Sequence, residues 1–310
     1  MSAAGEPGTG GRIPKGSDEA EVKVSAENPR VIPGTDARSA VEIFRGHFGL
    51  AGGDPDIGML RAVVSHFSTV PYENVTKVIA RFELDESDGR LRSPETVMRG
   101  FVDERTGGTC FSLTWCLGSI LSSSGFRCRP VMADMKRANV HCALLVEAGN
   151  GRYLVDPGYL LAEPVELSRE AVTVTAPFGR VELRPRGAAQ YDLYTVTGGE
   201  RRWRYRVRTV PVSRAAFFRY WRESFHLPMM NSLQLTRLTG EGHLYIRDHH
   251  LRHRTADGKV NENIRADLET RIEREFGIPA GITSRAREHL ERMKETWRAQ
   301  KQEARAPRRR

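Results

Sequence analysis

The chain has 310 residues, 39% of them hydrophobic, and a net charge of +9 at pH 7. This length exceeds that of a typical single domain, so we expect two or three packed subdomains. No run approaches the ~20 consecutive apolar residues of a membrane-spanning helix. The Gly/Ala/Pro-rich start lacks the basic and apolar parts of a secretory signal. We therefore expect a cytoplasmic protein without a membrane partner, whose four cysteines are reduced.

The positive charge is concentrated at the C-terminus. Residues 292–310 contain eight basic and two acidic residues, and so carry +6 of the net charge. Nothing aromatic or foldable accompanies the last ten residues, 301–310, so we interpret these ten residues as a solvated and disordered end. The composition therefore predicts no specific nucleic-acid partner.

The first half of the chain shows mainly helical spacing of its apolar residues. Residues 1–35 lack periodicity and are expected to be disordered. The apolar pattern predicts helices near 39–50 and 59–67, a strand at 78–84, and a helix that Ser93 and Pro94 begin. A further buried helix is predicted from Cys110 to Ser124, ended by Gly125.

The second half begins with strands. They are predicted at 128–132, 141–146, 152–155, 171–175, 180–183 and 202–210, then at 232–238 and 243–247. In the strand at 202–210 arginines alternate with Trp203, Tyr205 and Val207, which is typical of a half-buried strand with a solvated arginine face. Helices are predicted at 213–225, near 261–276, and from Ser284 onwards.

Cys110 follows a glycine-rich turn, Arg105–Thr109, and begins its predicted helix. The positive end of the helix dipole and the free backbone N–H groups favour a thiolate there. Taken alone, this segment favours an inert core cysteine. Cys116, Cys128 and Cys142 are interpreted as structural.

Two further polar residues sit at the ends of apolar strands. His141 opens one strand and Asp156 ends the next, and the Asn150-Gly151 dipeptide between them is a strong hairpin signal. We therefore expect His141 and Asp156 to meet, with Asp156 fixing the imidazole tautomer and raising its basicity toward the Cys110 thiol. Together the three segments favour nucleophilic catalysis by Cys110, His141 and Asp156.

The order and spacing of these segments resemble the arylamine N-acetyltransferase family, whose Cys-His-Asp triad lies on a papain-like core. The likeness covers roughly residues 38–280. The matching segments are Val70–Val75 (Ile-Pro-Phe-Glu-Asn-Leu in the family), Arg105–Phe111, His141–Val146 and Val155–Tyr159, with weaker matches at Asn231–Leu233, Arg237 and Gly242–Leu251.

The resemblance implies an α+β fold of the papain-like (cysteine proteinase) superfamily. Its expected parts are a disordered leader (1–35), a helical subdomain with the nucleophile (36–127), an antiparallel β-barrel with His141 and Asp156 (128–212), an interdomain helix with an α/β lid (213–290) and a basic tail (291–310). It also implies ping-pong transfer of an acetyl group from acetyl-CoA, through a thioester on Cys110, to an arylamine-like or other amine. Glu73 is expected to pair with Arg105 and to hold the nucleophile turn.

The sequence leaves three further functions open. Ser112 and Thr114 stand where members of the family carry Glu and Asn, which motivates a degenerate, non-catalytic binding module of the same fold. An amide synthase fed by an acyl-carrier protein and hydrolysis by the same triad both need the same three residues.

His243, His249, His250 and His253 match no zinc motif, so no metal is predicted. The residues that bind the CoA donor are not identified.

Overall fold

The computed structural model describes residues 35–86 and 88–303 of the chain. Within these residues the chain forms eight α-helices and thirteen β-strands, the strands lying in two antiparallel sheets. The predicted α+β class is confirmed. Most of the expected leader, residues 1–34, and the end of the expected tail, residues 304–310, lie outside the described residues.

The first part of the chain is a helical layer around one buried helix. Its elements are α1 (Thr35–Phe48), α2 (Ile57–Phe67), β1 (Tyr72–Glu73), α3 (Val75–Glu83), α4 (Pro94–Glu104) and α5 (Cys110–Ser123). α4 begins as predicted, because the Ser93 hydroxyl accepts the Thr96 N–H and Pro94 takes the first helical position. α5 is buried without interruption from Cys110 to Leu121, so it forms the centre of this layer.

The strand predicted at 78–84 is wrong, because the segment forms helix α3. Val75 and Val78, three residues apart, are fully buried in the core that α3 shares with the C-terminal part of the chain. The Asn74 amide donates to the carbonyl of Ser232 at 2.8 Å and fixes the start of the helix there. Long-range packing therefore decides between two structures that the local pattern permits.

The middle of the chain forms a nearly closed antiparallel barrel. Its strands are β2 (Arg127–Asp134), β3 (His141–Ala148), β4 (Gly151–Val155), β5 (Val165–Glu166), β6 (Val172–Ala176), β7 (Gly179–Pro185), β8 (Gln190–Thr197) and β9 (Glu200–Arg208). They pair in the order β5-β4-β3-β2-β9-β8-β7-β6. The β3–β4 hairpin is present, and Gly149 supplies its left-handed residue with φ 54°.

The predicted alternation along β9 holds only for its second half. Tyr205 and Val207 are buried inside the barrel, whereas Trp203 is 41% exposed. A register shift at Leu193/Tyr194 of the partner strand β8 changes the pairing at this position. The bulge therefore turns Trp203 outward, and its indole N–H donates to Asp192.

The C-terminal part packs helices on a five-stranded antiparallel sheet of order β1-β10-β11-β12-β13. Its elements are α6 (Arg214–Glu223), β10 (Gln234–Leu238), β11 (Gly242–Arg247), β12 (His250–Thr255), β13 (Lys259–Asn263), α7 (Leu268–Phe276) and α8 (Ala280–Glu303). β1 comes from the helical layer, so this sheet ties the two ends of the fold together. The helix predicted near 261–276 is only partly correct, since its first residues belong to β13.

The last helix, predicted from Ser284 onwards, is confirmed. α8 continues from Ala280 to Glu303, so residues 301–303, the first three of the ten expected to be disordered, lie in a helix. The expected disorder is wrong for these three residues. The subdomain boundaries stay a prediction. None of the helices in the described ranges combines the length and apolar character needed to cross a bilayer.

Candidate active site

Cys110 is the first residue of α5 and is 7% exposed. The turn before it approaches the backbone of the Pro71 segment closely, because a Cβ built on Gly107 would lie 1.8 Å from the Pro71 carbonyl oxygen. The Glu73 N–H also donates to the Gly108 carbonyl at 3.0 Å. Only glycine fits at position 107, and this contact fixes the direction in which α5 begins.

His141 and Asp156 meet as the hairpin predicts. His141 begins β3 and Asp156 follows β4, and the imidazole Nε2 lies 2.7 Å from the Asp156 Oδ2. Both residues are buried. The other carboxylate oxygen, Oδ1, accepts the Tyr159 N–H at 2.9 Å. Both oxygens of the Asp156 carboxylate are thus hydrogen-bonded, which fixes its position and orients the ring of His141.

Gly158 brings the three segments together. A Cβ built there would lie 2.5 Å from the Cβ of Cys110 and 3.1 Å from the Cε1 of His141. The thiol residue and the imidazole therefore pack against the same point of the Asp156–Tyr159 turn. This convergence of Cys110, His141 and Asp156 is the geometry that their sequence spacing suggests.

The surroundings favour charge separation between the thiol and the imidazole. A hydrogen bond with Cys142 is the largest cause that holds the pKa of Cys110 well below its usual range, and His141 and the charge of Lys77 lower it further against the effect of burial. Burial lowers the pKa of His141, but the Asp156 carboxylate and Cys110 outweigh it and raise that pKa to about 10. The favoured state is a thiolate beside an imidazolium.

Two neighbours of this centre are not assigned to it from the sequence. The Tyr205 hydroxyl donates to the Asp156 Oδ2 at 2.5 Å. Cys142, interpreted from the sequence as structural, lies beside Cys110, and burial raises its pKa so that it stays a thiol and donates. Alternation along β9 predicts that Tyr205 points inward, but the Asp156 contact depends on barrel closure.

The predicted pairing of Glu73 with Arg105 is wrong. Glu73, which is fully buried, lies 3.7 Å from Arg92 and accepts hydrogen bonds from the N–H and hydroxyl of Thr76. Arg92 also donates to the Gly107 carbonyl at 2.5 Å. Arg105 ends α4 in a left-handed conformation and lies over the Phe101 ring instead. Arg92 is therefore the arginine that supports the nucleophile turn.

The residues that depart from the family pattern make local contacts. The Ser112 hydroxyl donates to the Thr109 carbonyl at 3.1 Å, and the Thr114 hydroxyl donates to the Cys142 carbonyl at 3.4 Å. Neither contact disturbs the three converging side chains. The histidines between positions 243 and 253 are spread over β11, β12 and the turn between them, and residues 35–86 and 88–303 hold no cluster of three or more potential metal ligands.

A family model described as N-acetyltransferase matches residues 56–284. In sequence, the chain is 28% identical over 155 residues to an arylamine N-acetyltransferase of Mycolicibacterium smegmatis, an alignment that covers 46% of this chain and 50% of the relative. The chain thus spans about half the length of that curated relative.

Solved structures share the fold over nearly their whole length. The arylamine N-acetyltransferase of Mycobacterium abscessus superposes with a TM-score of 0.71 at 18% identity, covering 84% of this chain and 99% of that one. The Mycobacterium marinum arylamine N-acetyltransferase in complex with CoA gives a TM-score of 0.69 at 18% identity, covering 81% and 98%. The predicted resemblance to this group of proteins is confirmed.

Proposed function

Because the chain belongs to the N-acetyltransferase family, we propose that it is an enzyme that transfers an acetyl or other acyl group from a CoA thioester to an amine. The acyl group passes through a thioester on Cys110 in a ping-pong reaction. The acceptor is an arylamine-like or other small amine. Relatives in sequence and structure carry the name arylamine N-acetyltransferase, which supports this acceptor class.

The convergence of Cys110, His141 and Asp156 carries the proposal. A thiolate is the nucleophilic form of cysteine, and a free thiol holds only a few per cent of it at neutral pH. The 2.7 Å contact between His141 and Asp156 stabilises the imidazolium that accompanies a Cys110 thiolate. The pair is thus ready to attack a thioester without an additional base.

The reaction then follows in two transfers of the acyl group, first to Cys110 and then to the amine. The Cys110 thiolate attacks the thioester carbonyl, and the CoA thiolate leaves with the proton of the His141 imidazolium. The amine next attacks the acyl-Cys110 carbonyl and gives a proton to the neutral His141, while Cys110 leaves as a thiolate. A helix leaves its first backbone N–H groups without intrahelical partners, so those at the start of α5 are suited to stabilise the developing oxyanion.

A groove with an excess of basic residues supports CoA as the donor. It is open to solvent and lies between β9 and the β12–β13 hairpin. Its charged lining residues are Arg202, Arg204, Arg254, Lys259, Glu200 and Asp257, and Glu200 is the ion-pair partner of Arg202. Arg204, Arg254 and Lys259 form no ion pair with any residue in the described ranges. Guanidinium groups without a carboxylate partner suit the phosphate oxygens of a nucleotide.

Two arginines of the groove lie near the turn that packs on Cys110. Burial raises the pKa of Tyr159 to about 12, and the charges of Arg204 and Arg254 act against that rise, so both guanidinium groups lie near this ring. Tyr159 follows Gly158, which packs on Cys110. A donor with its phosphates in the groove can therefore extend its thioester past Tyr159 to Cys110.

Intact-mass measurement tests the covalent step. We expect the protein incubated with acetyl-CoA alone to gain one acetyl group, and Cys110→Ser to gain none. Addition of an amine acceptor should remove the acetyl group and yield the amide. If no CoA thioester acylates Cys110, the proposed donor is wrong; if the acyl-enzyme releases only the free acid whichever amine is added, the transferase assignment is wrong.

A second experiment tests the groove. We expect the double variant Arg204→Gln/Arg254→Gln to raise KM for acetyl-CoA by about tenfold or more, since two phosphate contacts are lost. The rate with p-nitrophenyl acetate, which has no phosphates, should not change. Arg184→Gln on β7, outside the groove lining, is the matched control. An equal loss with both donors would contradict a phosphate-binding role.

A further inference from the structure

Lys77 is a buried cation that no carboxylate of the described residues neutralises. It lies on α3 and is 6% exposed. No acidic side chain of residues 35–86 or 88–303 pairs with it. Burying an ammonium without a counter-charge is costly, which makes such a lysine a candidate for a functional role.

Two contacts hold the ammonium in place. The Lys77 Nζ donates to the Ser224 hydroxyl at 2.5 Å and lies 4.5 Å from the centre of the Phe225 ring. The Ser224 hydroxyl donates its own hydrogen to the Trp221 carbonyl. Ser224 can therefore only accept from Lys77, so the amine is the donor in this contact.

The chain geometry places Lys77 beside the nucleophile. β1, which immediately precedes α3, pairs through Tyr72 with Gly108, two residues before Cys110. Trp221, which anchors Ser224, stacks at 6.4 Å on the Phe111 ring next to Cys110. α3 and α6 thus both bring the Lys77 site to the first turn of α5.

We propose that Lys77 is a positioning residue for the nucleophile, whose buried ammonium joins His141 in supplying the positive charge that keeps Cys110 a thiolate. This inference rests on the proposed function, since it concerns the same thiol. The thiolate is the negative charge that Lys77 otherwise lacks. The rate ratio of a negatively charged electrophile to a neutral one of equal size is therefore higher at Cys110 than at a thiolate without a neighbouring ammonium.

Lys77 and Cys110 each shift the pKa of the other residue, as an ion pair should. Burial lowers the pKa of Lys77 to about 8, and the negative charge of Cys110 acts against that fall, while Arg81 adds to it. The charge of Lys77 in turn lowers the pKa of Cys110. The other titratable groups that face this pair are Tyr72 of β1 and His141 and Cys142 of β3, whose pKa values all lie well above that of Lys77.

Alkylation of Cys110 tests the inference without any acyl donor. We expect Lys77→Met to raise the pH midpoint of alkylation by iodoacetamide by about one unit, which lowers the rate about tenfold at pH values below both midpoints. The rate ratio of iodoacetate to iodoacetamide should fall about threefold. Arg81→Gln, which removes the same charge from the same helix one turn later, should leave both values unchanged.

The unmodified enzyme provides a second measurement. Its iodoacetate to iodoacetamide ratio should fall as the pH rises through about 8, where Lys77 loses its proton. This measurement needs no variant, so it tests the inference even if Lys77→Met does not fold. An unchanged midpoint in Lys77→Met, or a ratio without this inflection in the unmodified protein, overturns the inference. A Cys110 that is inert to both reagents overturns the proposed function instead, so the two failures are distinct.

Discussion

Tyr205 donates a hydrogen bond to the same oxygen of Asp156 that pairs with His141. The distances are 2.5 Å from the tyrosine hydroxyl to Oδ2 and 2.7 Å from Oδ2 to the imidazole. Burial and the neighbouring carboxylate raise the pKa of Tyr205 well above its usual value, so it stays a hydroxyl donor. The barrel interior thus holds the carboxylate that orients the imidazole of His141, the proposed catalytic base.

Tyr205→Phe should weaken both stability and turnover. The variant leaves a buried carboxylate without one of its donors, which costs about 1.5–3 kcal/mol in the free energy of unfolding. We expect kcat/KM to fall about tenfold, as the orientation of His141 loosens. Urea unfolding and acetyl transfer measure the two effects. Tyr194→Phe on β8 is the control, and equal behaviour of the two variants would show that the Asp156 contact is unimportant.

The local parts of the site could be predicted from the sequence. His141 and Asp156 are joined by one hairpin, so their meeting depends on strand alternation and on a short turn. The position of Cys110 follows from a glycine-rich turn that enters an apolar helix. These features involve neighbouring segments, and the periodicity of each segment is visible in the chain itself.

The remaining features depend on how distant segments pack. Tyr205 reaches Asp156 across 49 residues, because β9 lies beside β2 in the barrel. Whether Arg92 or Arg105 contacts Glu73 depends on the direction of α4, which the composition of the sequence does not reveal. β8 lies where the sequence predicts no strand, since Asp192 interrupts its apolar run and is compensated by Arg206 of the neighbouring strand.

The pH dependence of alkylation follows from the opposite shifts of the thiol and imidazole. The pKa of Cys110 is depressed, so the thiolate is present above it and is lost as the pH falls through it. The imidazolium persists until about pH 10. The rate with the neutral reagent iodoacetamide should therefore be flat from mildly acidic to alkaline pH and should fall only in acid.

Asp156→Asn should shift the acid limb of the alkylation profile of Cys110 to higher pH. Without the carboxylate the pKa of His141 falls, the imidazolium is lost near neutral pH, and the thiolate loses its partner. Alkylation followed by peptide mass mapping measures the shift at Cys110. Asp134→Asn, which breaks a partly exposed pair with Arg208, is the control. A profile that resembles that of an ordinary thiol in the unmodified protein would contradict the ion pair.

Arg92→Gln should destabilise the protein far more than Arg105→Gln. Loss of Arg92 leaves the buried Glu73 without a cation and frees the Gly107 carbonyl, at a cost of about 3 kcal/mol. Loss of Arg105 removes one contact with the Phe101 ring, worth less than about 1 kcal/mol. Thermal and urea unfolding compare the two variants directly. The reverse order would restore the pairing of Glu73 with Arg105 that the sequence suggests.

Gly158→Ala should abolish most of the activity by displacing the nucleophile. The added Cβ would lie 2.5 Å from the Cβ and 2.8 Å from the Cα of Cys110, atoms that move only if the first turn of α5 moves. The backbone φ of Gly158 does not itself oppose alanine, so the effect is steric. Overpacking of this kind costs about 1–3 kcal/mol, and we expect acyl transfer to fall more than about a hundredfold.

Gly240→Ala is the matched control, because nothing lies within 4 Å of a Cβ there and its φ is not left-handed. Acetyl transfer and the alkylation rate of Cys110 should be measured on both variants, together with their unfolding free energies. A folded Gly158→Ala protein with slow acylation places the damage at the thiol, since its core is intact. If that variant retained full activity, the close packing of Cys110 and His141 around Gly158 would not be required for the reaction.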